Sequence, residues 1–370
     1  MKKQKICIVG GGLTALTAAL VLKNLNIEIH LVSEFKLNKK LLDNRTTAIS
    51  PSNFQFLFKF LNKKNSKMFW GSNKIDLYHE EKDKYSNFMN FQNKGKNLMY
   101  TIQNKNFRKI LFKEIEVEKK IKIINRKVEK IDEKNAKIFF KNKIMSYDSI
   151  LLCVGKKAEL AKKLMGKRRI INDSQEIAFT TIVKHNLNIV NSKQYFLKEG
   201  PLAILPINKK EFSLVWSVCK DYTSDIKKNL IKEKLEKILN SNKKIKISKI
   251  DFFPISFNFN INFFKKNVLV LGEGSYNVHP LAGQGFNLIL RDIEELYQEI
   301  KKYLSIGIQI KDSEIFYKFM ISRKPENFLF GLGINFINNF FRNEKIKNLV
   351  KKIILKDIDK FKFLKDLNLR

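Results

Sequence analysis

The sequence predicts an α/β fold: a doubly wound domain into which an antiparallel sheet is inserted, followed by a helical C-terminus. Three observations support this. An apolar run ended by glycines opens the chain, "QKICIVGGG", and "LTALTAALVLK" and "IEIHLVSE" follow it as helix and strand. From about residue 175 to 262 the pattern changes to alternating strand segments. "NVLVLGEG" at 267–274 then returns to a buried-strand pattern, and the remainder reads as helix.

Taken in order, residues 4–9 form the first strand, 13–23 a helix of small and aliphatic residues, and "IEIHLVSE" the second strand. "SPSNFQFLFKFLNK" (50–63) reads as a helix with Ser50 or Ser52 near its start. "NKNFRKILFKEIE" (104–116) is another helix, and "KIKIIN", "KIFF" and "SILLCVG" are strand-like. The inserted block contains "IAFTTIVKH", "PLAILPI", "FSLVWSVC" and "KIKISKIDFF", with one amphipathic helix at 224–240. The expected division is 1–172 for the first part of the doubly wound domain, with interleaved segments near 65–103. The sheet domain is expected at 173–264, the return segment at 265–300 and a helical region at 301–370. No internal repeat or Pro/Gly-rich linker marks these limits.

At 370 residues and 44% hydrophobic content the chain can bury a sizeable core. Its 72 Lys+Arg against 36 Asp+Glu give a net charge of +36. The lysines are spread through every segment among Asn, Ile and Phe, which argues against a specific nucleic-acid partner. A basic surface is nonetheless drawn to anionic lipid. No run of 18 uncharged apolar residues occurs, and the opening residues lead into a strand pattern rather than a cleavable signal. The expectation is a cytoplasmic protein, soluble or peripheral at the inner face of the membrane. Cys7, Cys153 and Cys219 lie in strand-like runs without metal-ligand spacing and are expected as buried thiols, with no metal site.

Gly10, Gly12 and Ala15 fit G-x-G-x-x-G/A between a strand and a helix. The first glycine permits the tight turn, the second lets backbone approach a pyrophosphate, and the small third residue lets helix and strand pack closely. The helix start then offers unpaired N–H groups and partial positive charge to the phosphates. An acidic residue near the end of the second strand would bind the adenosine ribose. Glu34 is the candidate, Ser33 occupies that register if no residue is inserted, and a solvated glutamate is the alternative.

Four stretches in order, "IVGGGLTALTAALVL", "DNRTTAIS" (43–50), "GPLAILPI" with "SLVW" (200–216), and "LVLGEGSYNVHPLAGQGFNLILRDIEEL" (269–296), resemble the ubiquinone-biosynthesis hydroxylases. These are FAD-dependent aromatic monooxygenases related to p-hydroxybenzoate hydroxylase. "FYKFMISRKPEN" resembles the family's C-terminal helical region, so the likeness extends over essentially the whole chain. The resemblance implies a Rossmann-like FAD-binding domain with an inserted substrate sheet. It also implies FAD as cofactor, NAD(P)H as co-substrate, and hydroxylation by O2 of the aromatic ring of a polyprenylated phenol, a lipophilic quinone precursor. Other quinone-biosynthesis enzymes are implied as partners.

By the same resemblance, the N-terminal turn holds the adenosine diphosphate half of FAD. The Gly283-Gln284-Gly285 turn, with Phe286, places backbone N–H groups beside the flavin ring, where a helix start stabilises the anionic reduced ring. Glycines suit this because a Cβ would push backbone away from a flat ring. Asn287 is expected to add a side-chain hydrogen bond, Pro280 to stiffen the loop, and His279 to lie near the ring. Arg45 matches a position close to the cofactor, where its guanidinium meets flavin or nicotinamide-nucleotide phosphate; a surface arginine is the alternative. Asn104 falls where relatives place a polar residue before the helix flanking the cofactor. Trp216 is as consistent with core as with site, and His30, His79 and His185 read as scaffold or surface. No side chain is assigned a catalytic role, since the flavin performs the chemistry while the protein positions, shields and orients.

Three positions depart from the family pattern. Val154 stands where an aspartate is usual, Glu273 replaces an aspartate, and Tyr276 replaces a histidine. Glu273 retains a carboxylate for a ribitol or ribose hydroxyl, whereas the Val154 side chain cannot hydrogen-bond. Two alternatives follow: a non-catalytic or cofactor-weakened member of a quinone-biosynthesis complex, or a flavoprotein reductase of lipid substrates. The stretch "FLFGLGINFINNFFRNEKIKNLVKKIILK" is open to two readings, a lipid-surface segment or the domain's own core.

Overall fold

The computed structural model describes residues 3–38, 43–81, 84–93, 95–155, 159–166, 169–225, 228–240, 245–277, 285–312 and 314–342. The chain begins with β1 (Gln4–Val9), α1 (Leu13–Leu22) and β2 (Ile27–Ser33), followed by β3 (Thr46–Ile49) and α2 (Pro51–Phe58). Next come β4 (Trp70–Ser72), β5 (Lys74–Glu81), β6 (Lys84–Gln92), β7 (Met99–Gln103) and α3 (Asn104–Glu116). Strands β8 (Ile121–Asn125), β9 (Lys130–Asp132), β10 (Lys137–Phe140), β11 (Lys143–Ser146) and β12 (Ser149–Leu152) lead to α4 (Glu159–Met165). The large sheet uses β13 (Arg169–Lys184), β14 (Ser192–Phe196), β15 (Pro201–Asn208) and β16 (Glu211–Cys219). After α5 (Lys228–Leu239) it continues with β17 (Lys246–Ile247) and β18 (Asp251–Asn260). The chain then forms β19 (Phe264–Lys265), β20 (Val268–Val270), β21 (Tyr276–Asn277), α6 (Gly285–Ser305) and α7 (Glu314–Arg342).

A six-stranded sheet of order β19-β20-β12-β1-β2-β8 is parallel from β20 through β8. Its central strands read as continuous apolar runs because both faces are buried: α1 packs on the sheet, and Ala136, Ile138, Phe140 and Tyr147 from the β10–β12 segment join the same core. Helix α1 has almost no polar side: every residue from Ala15 to Leu22 is buried. It lies between the sheet, α3 and α6. Helix α3 is amphipathic, burying Phe107, Ile110, Leu111 and Ile115 at helical spacing.

The second sheet runs β21-β18-β13-β16-β15-β14-β5-β6, with β17 paired to β13. One face packs on α5 through Phe179, Leu214 and Trp216 against Ile231 and Leu235. The opposite face meets β3 and β7, where Ala203 and Leu205 touch Ala48 and Met99. A parallel pairing of β14 with β5 joins the segment near 65–103 to this sheet. A further three-stranded sheet, β3-β7-β4, contacts β15 through β4 and β7, and α6 through β3.

Several local expectations shift. The helix expected over 50–63 ends at Phe58 and continues as a 3-10 turn over Lys63–Met68. Ser50 is its N-cap, with Pro51 supplying the fixed φ of a first helical residue, yet no side-chain cap bond forms. Strand β13 begins at Arg169, before the limit expected at 172, because it pairs along β18 from Arg169↔Asn260 onward. Cys7 and Cys153 are buried, whereas Cys219, at the open end of β16, is only partly so. His30, His79 and His185 are all buried scaffold rather than surface. Among the described residues no helix is long and apolar enough to cross a membrane.

Candidate functional site

The carboxyl ends of β1, β2 and β12 converge at one crevice, the position where open α/β sheets receive ligands. Gly10 sits there at φ +140, and a Cβ would lie 2.3 Å from the Cys153 carbonyl oxygen. Its N–H donates to the Val32 carbonyl at 2.8 Å. Ala15 is fully buried, 3.5 Å from that imagined Cβ, so the small residues at 10 and 15 allow the close helix–strand contact. Gly12 differs. It caps α1 in an extended conformation, its carbonyl accepting from Leu16 N–H at 3.1 Å, and a Cβ there would meet nothing within 4 Å. The turn is therefore closed against protein at Gly10 and open in front of the helix start at Gly12. That is the shape an anion needs to reach the α1 N–H groups.

Two residues border the adjacent end of β2. Ser33 is buried against the turn, where a Gly11 Cβ would fall 2.6 Å from its Oγ, and the hydroxyl donates to the Phe35 carbonyl at 2.8 Å. Glu34 follows with its side chain half exposed and Lys127 Nζ 4.0 Å away. Both stand at the strand end, and only Glu34 has a carboxylate unengaged by backbone.

Arg108 was not among the sequence candidates, yet its guanidinium reaches this turn from α3. Nη1 donates to the Gly11 carbonyl and Nη2 to the Leu37 carbonyl at 3.1 Å. Nε is buried without a hydrogen-bond partner among the described residues. Burial lowers the pKa of Arg108, and no carboxylate among the described residues offsets the cost. A cation held half-buried at a glycine turn without a counter-ion suits a bound anion. The only sequence signal was an arginine four residues past the start of an amphipathic helix, whose distance to Gly11 is invisible in one dimension.

Arg45 is bidentate to Asp43, with Nε at 3.0 Å and Nη2 at 2.9 Å, and lies 5.1 Å over the Phe253 ring. The hydrogen bond to Asp43 raises its pKa, with smaller contributions from Glu273 and Asp251. Glu273 is exposed on the Gly272–Gly274 turn after β20, and its Oε2 comes within 4.0 Å of where a Gly155 Cβ would stand. Gly155 follows Val154, whose side chain packs against the core. The carboxylate at 273 thus faces the backbone of the segment that lacks one at 154. Asn104 begins α3; its N–H donates to the Arg45 carbonyl at 2.9 Å and its Oδ1 accepts from Thr47 at 2.7 Å. It positions the Arg45 segment through the backbone.

His279, Pro280, Gly283 and Gln284 lie outside the described residues. Gly285 opens α6, and the Phe286 ring packs edge-on against Phe107 at 5.7 Å. Asn287 is used differently from the expected hydrogen bond to the ring. Its Oδ1 accepts from Ser50 N–H at 2.9 Å and Asn53 Nδ2 at 3.0 Å, while its Nδ2 donates to the Ala48 carbonyl at 2.9 Å. The amide locks the start of α6 to β3 and α2, because these main-chain groups are buried and need partners. Trp216 is fully buried on the α5 face, its Nε1 donating to the Gly200 carbonyl at 3.2 Å, and so belongs to the core.

A second unanticipated feature supports α6. Asp292, buried one turn beyond Asn287, accepts from Tyr276, from Arg323 Nε at 2.8 Å and from Asn327 Nδ2 at 2.9 Å. Tyr276, the substituted family position, therefore donates to a carboxylate instead of facing solvent. The cluster ties β21, α6 and α7 together on both sides of residues 278–284.

No family model matches the chain. In sequence it is similar to the ubiquinone biosynthesis monooxygenase COQ6 of Dictyostelium discoideum, 28% identical over 188 residues, covering 41% of this chain and 38% of that protein. It is 24% identical over 157 residues to 3-demethoxyubiquinol 3-hydroxylase of Escherichia coli, covering 40% of this chain and 39% of that one. Ubiquinone hydroxylase UbiM of Neisseria meningitidis is 22% identical over 281 residues, covering 73% and 61% respectively. The matches thus span under two thirds of the length of these relatives. Among solved structures, p-nitrophenol 4-monooxygenase PnpA of Pseudomonas putida superposes with a TM-score of 0.79 at 12% identity, covering 99% of this chain and 97% of that one. PqsL of Pseudomonas aeruginosa, a probable FAD-dependent monooxygenase, gives 0.78 at 13% identity, covering 95% and 100%. The fold is that of the FAD-dependent monooxygenases, and the sequence relatives are hydroxylases of ubiquinone biosynthesis.

Proposed function

We propose that this chain, with the fold of the FAD-dependent monooxygenases and a sequence similar to ubiquinone-biosynthesis hydroxylases, is itself an FAD-dependent aromatic hydroxylase. Its substrate would be a polyprenylated phenol on the path to ubiquinone, with NAD(P)H as reductant and O2 as oxygen donor. The observation that supports this best is the pairing of an open helix start at Gly12 with the half-buried guanidinium of Arg108, whose buried Nε has no partner among the described residues. A dinucleotide pyrophosphate satisfies both. Gly10, Gly12 and Ala15 would receive the adenosine diphosphate half, Arg108 a phosphate oxygen, and Glu34 or Ser33 the ribose hydroxyls. Arg45, Glu273, Gly285 and the backbone at Phe286 would border the ring end, with Pro280, Gly283 and Gln284 preceding them in sequence. FAD, when bound, supplies electron transfer from the nicotinamide and activation of O2.

The chain's own part is to bind and to orient. Asn287 and Asn104 hold the α6 start and the Arg45 segment to β3, so the ring-side groups are fixed before the cofactor arrives. The small-residue face of the large sheet, with Ala203 and Leu205, closes over β3 and β7 and excludes water on that side. The basic balance of the chain suits work at an anionic membrane surface on the cytoplasmic side, where such a phenol resides. One observation favours a cofactor-weakened alternative: the Val154 side chain, packed in the core, offers no hydrogen bond where the family has a carboxylate.

The test is the visible absorption spectrum with added FAD, before and after anaerobic NAD(P)H, followed by aerobic turnover with prenylated phenols. A bound-flavin spectrum that bleaches, then yields hydroxylated product, is expected. No bound flavin at saturating FAD would overturn the enzyme reading in favour of the weakened one. Bleaching without hydroxylated product would favour a reductase.

A further inference from the structure

At the end of β13 the surface folds inward as a cavity of about 440 Å³ whose walls include Lys184, His185, Asn208, Lys210, Glu211 and Lys246. None of these belongs to the candidate cofactor site. Sheet register builds the cavity. Lys184 stands directly opposite Glu211 on β16 and directly opposite Lys246 on β17, so the three share one row on one face. The turn between β15 and β16 adds Lys210, whose N–H donates to Asn208 Oδ1 at 2.8 Å and whose carbonyl accepts from the His185 N–H at 2.9 Å.

Like charges directly opposite each other weaken a sheet, and Lys184 and Lys246 are such a pair. The one carboxylate in the row is already engaged: Glu211 Oε1 lies 3.5 Å from Lys184 Nζ, and Oε2 accepts from Asn208 Nδ2 at 2.9 Å. Neither Lys210 nor Lys246 has a carboxylate partner among the described residues. With the imidazole neutral, three lysines against one glutamate leave the lining an excess of two positive charges.

A chain with 72 Lys+Arg carries lysine clusters by chance, and charge alone identifies no ligand. His185 distinguishes this cluster. It is 4% exposed, and its ring packs 5.2 Å from that of Phe212. Nδ1 accepts from the Leu187 N–H at 3.1 Å, which leaves the proton of the neutral ring on Nε2. Burial favours that neutral form by lowering the pKa. Nε2 is itself buried and has no hydrogen-bond partner among the described residues. A buried N–H without an acceptor is destabilising, and an anionic oxygen reaching it would relieve that deficit while neutralising the lysine row.

We propose that this cavity binds the phosphate group of a phosphomonoester, held by Lys210, Lys246 and the His185 Nε2–H. Such a group carries about −1.5 to −2 at neutral pH, which matches the excess charge of the lining. The site stands apart from the flavin chemistry and does not depend on the hydroxylase reading. A soluble phosphorylated metabolite and the headgroup of phosphatidic acid present the same chemistry.

The full chain is dialysed to equilibrium against labelled inorganic phosphate, and in parallel sedimented with phosphatidylcholine vesicles with and without phosphatidic acid. Lys210→Gln with Lys246→Gln removes two cations from the lining. Lys141→Gln with Lys143→Gln removes two from another sheet, so the two double variants have equal net charge; all four lysines are exposed, and neither change touches the core. The expected result is one phosphate bound per chain in the wild type and the second variant, weakened roughly tenfold in the first. Bound phosphate should also shift one histidine Nε2 resonance, assigned through His185→Gln. Free phosphate binding lost in the first variant assigns the site to a soluble ligand. Vesicle binding that requires phosphatidic acid and falls only in the first variant assigns it to a headgroup, and either supports the site. Equal losses in the two variants, no loss in either, or no binding of phosphate or phosphatidic acid by the wild type would overturn it. A His185 resonance unmoved while phosphate binds would overturn it as well.

Discussion

Replacing Gly12 by aspartate should leave the apoprotein as stable as before and yet abolish FAD binding. A Cβ at residue 12 meets nothing within 4 Å, and the residue already has the extended conformation of an N-cap, φ −85 and ψ 179. Aspartate is among the preferred N-cap residues and exceeds glycine there by only a few tenths of a kcal/mol, so the apo fold should be unchanged or slightly strengthened. In the proposed binding mode a carboxylate at the same point would face the pyrophosphate. One pair of like charges about 4 Å apart costs on the order of 4 kcal/mol at a near-surface dielectric, or about a thousandfold in affinity. The neighbouring Gly10→Ala should behave in the opposite way. There φ is +140 and the methyl would lie 2.3 Å from the Cys153 carbonyl oxygen, so backbone must move. Strain of roughly 1–3 kcal/mol and overpacking of a similar size should lower apoprotein stability directly. The assay pairs urea denaturation of the apoprotein with FAD titration followed by flavin fluorescence. Retained FAD affinity in Gly12→Asp, or a loss of more than about 1 kcal/mol in its apoprotein, would refute the assignment of residue 12 to the phosphates.

Arg108→Met should weaken FAD binding by roughly 10- to 100-fold, the loss of one charge-assisted hydrogen bond, while apoprotein stability stays within about 1 kcal/mol; unchanged titration would remove Arg108 from the site. Asp292→Ala leaves the buried Arg323 without its main carboxylate and should cost about 3–5 kcal/mol in chemical denaturation, whereas Asp292→Leu with Arg323→Met should recover most of it. A small effect of the single change would show that the cluster does not hold α6 to α7. Burial lowers the pKa of both His30 and His185, so the unfolded chain takes up protons that the folded chain refuses. Stability is then full above about pH 6.5 and falls as pH drops through the lowered folded values. Thermal melts from pH 7.5 to 5 should show this decline, and His30→Gln with His185→Gln should flatten it.

The local pattern was sufficient for what depends on near neighbours. Gly10, Gly12 and Ala15 were readable because a strand–turn–helix unit imposes its glycines within six residues, and α3 was readable because its buried residues repeat at helical spacing. The antiparallel block announced itself by alternation, since one face packs on α5 and the other on β3 and β7. Tertiary structure decided whatever depended on distant partners. Arg108 stands 97 positions from Gly11, and nothing in the helix pattern says which exposed-looking cation will turn inward. Asn287 looked like a ligand of the ring until the buried main chain at Ala48 and Ser50 claimed its amide. Trp216 had two equal readings until β16 acquired a register and so a face. Periodicity fixes which side of an element is apolar, but which element it meets is set by pairings across the whole chain, and the candidate site is built from those pairings.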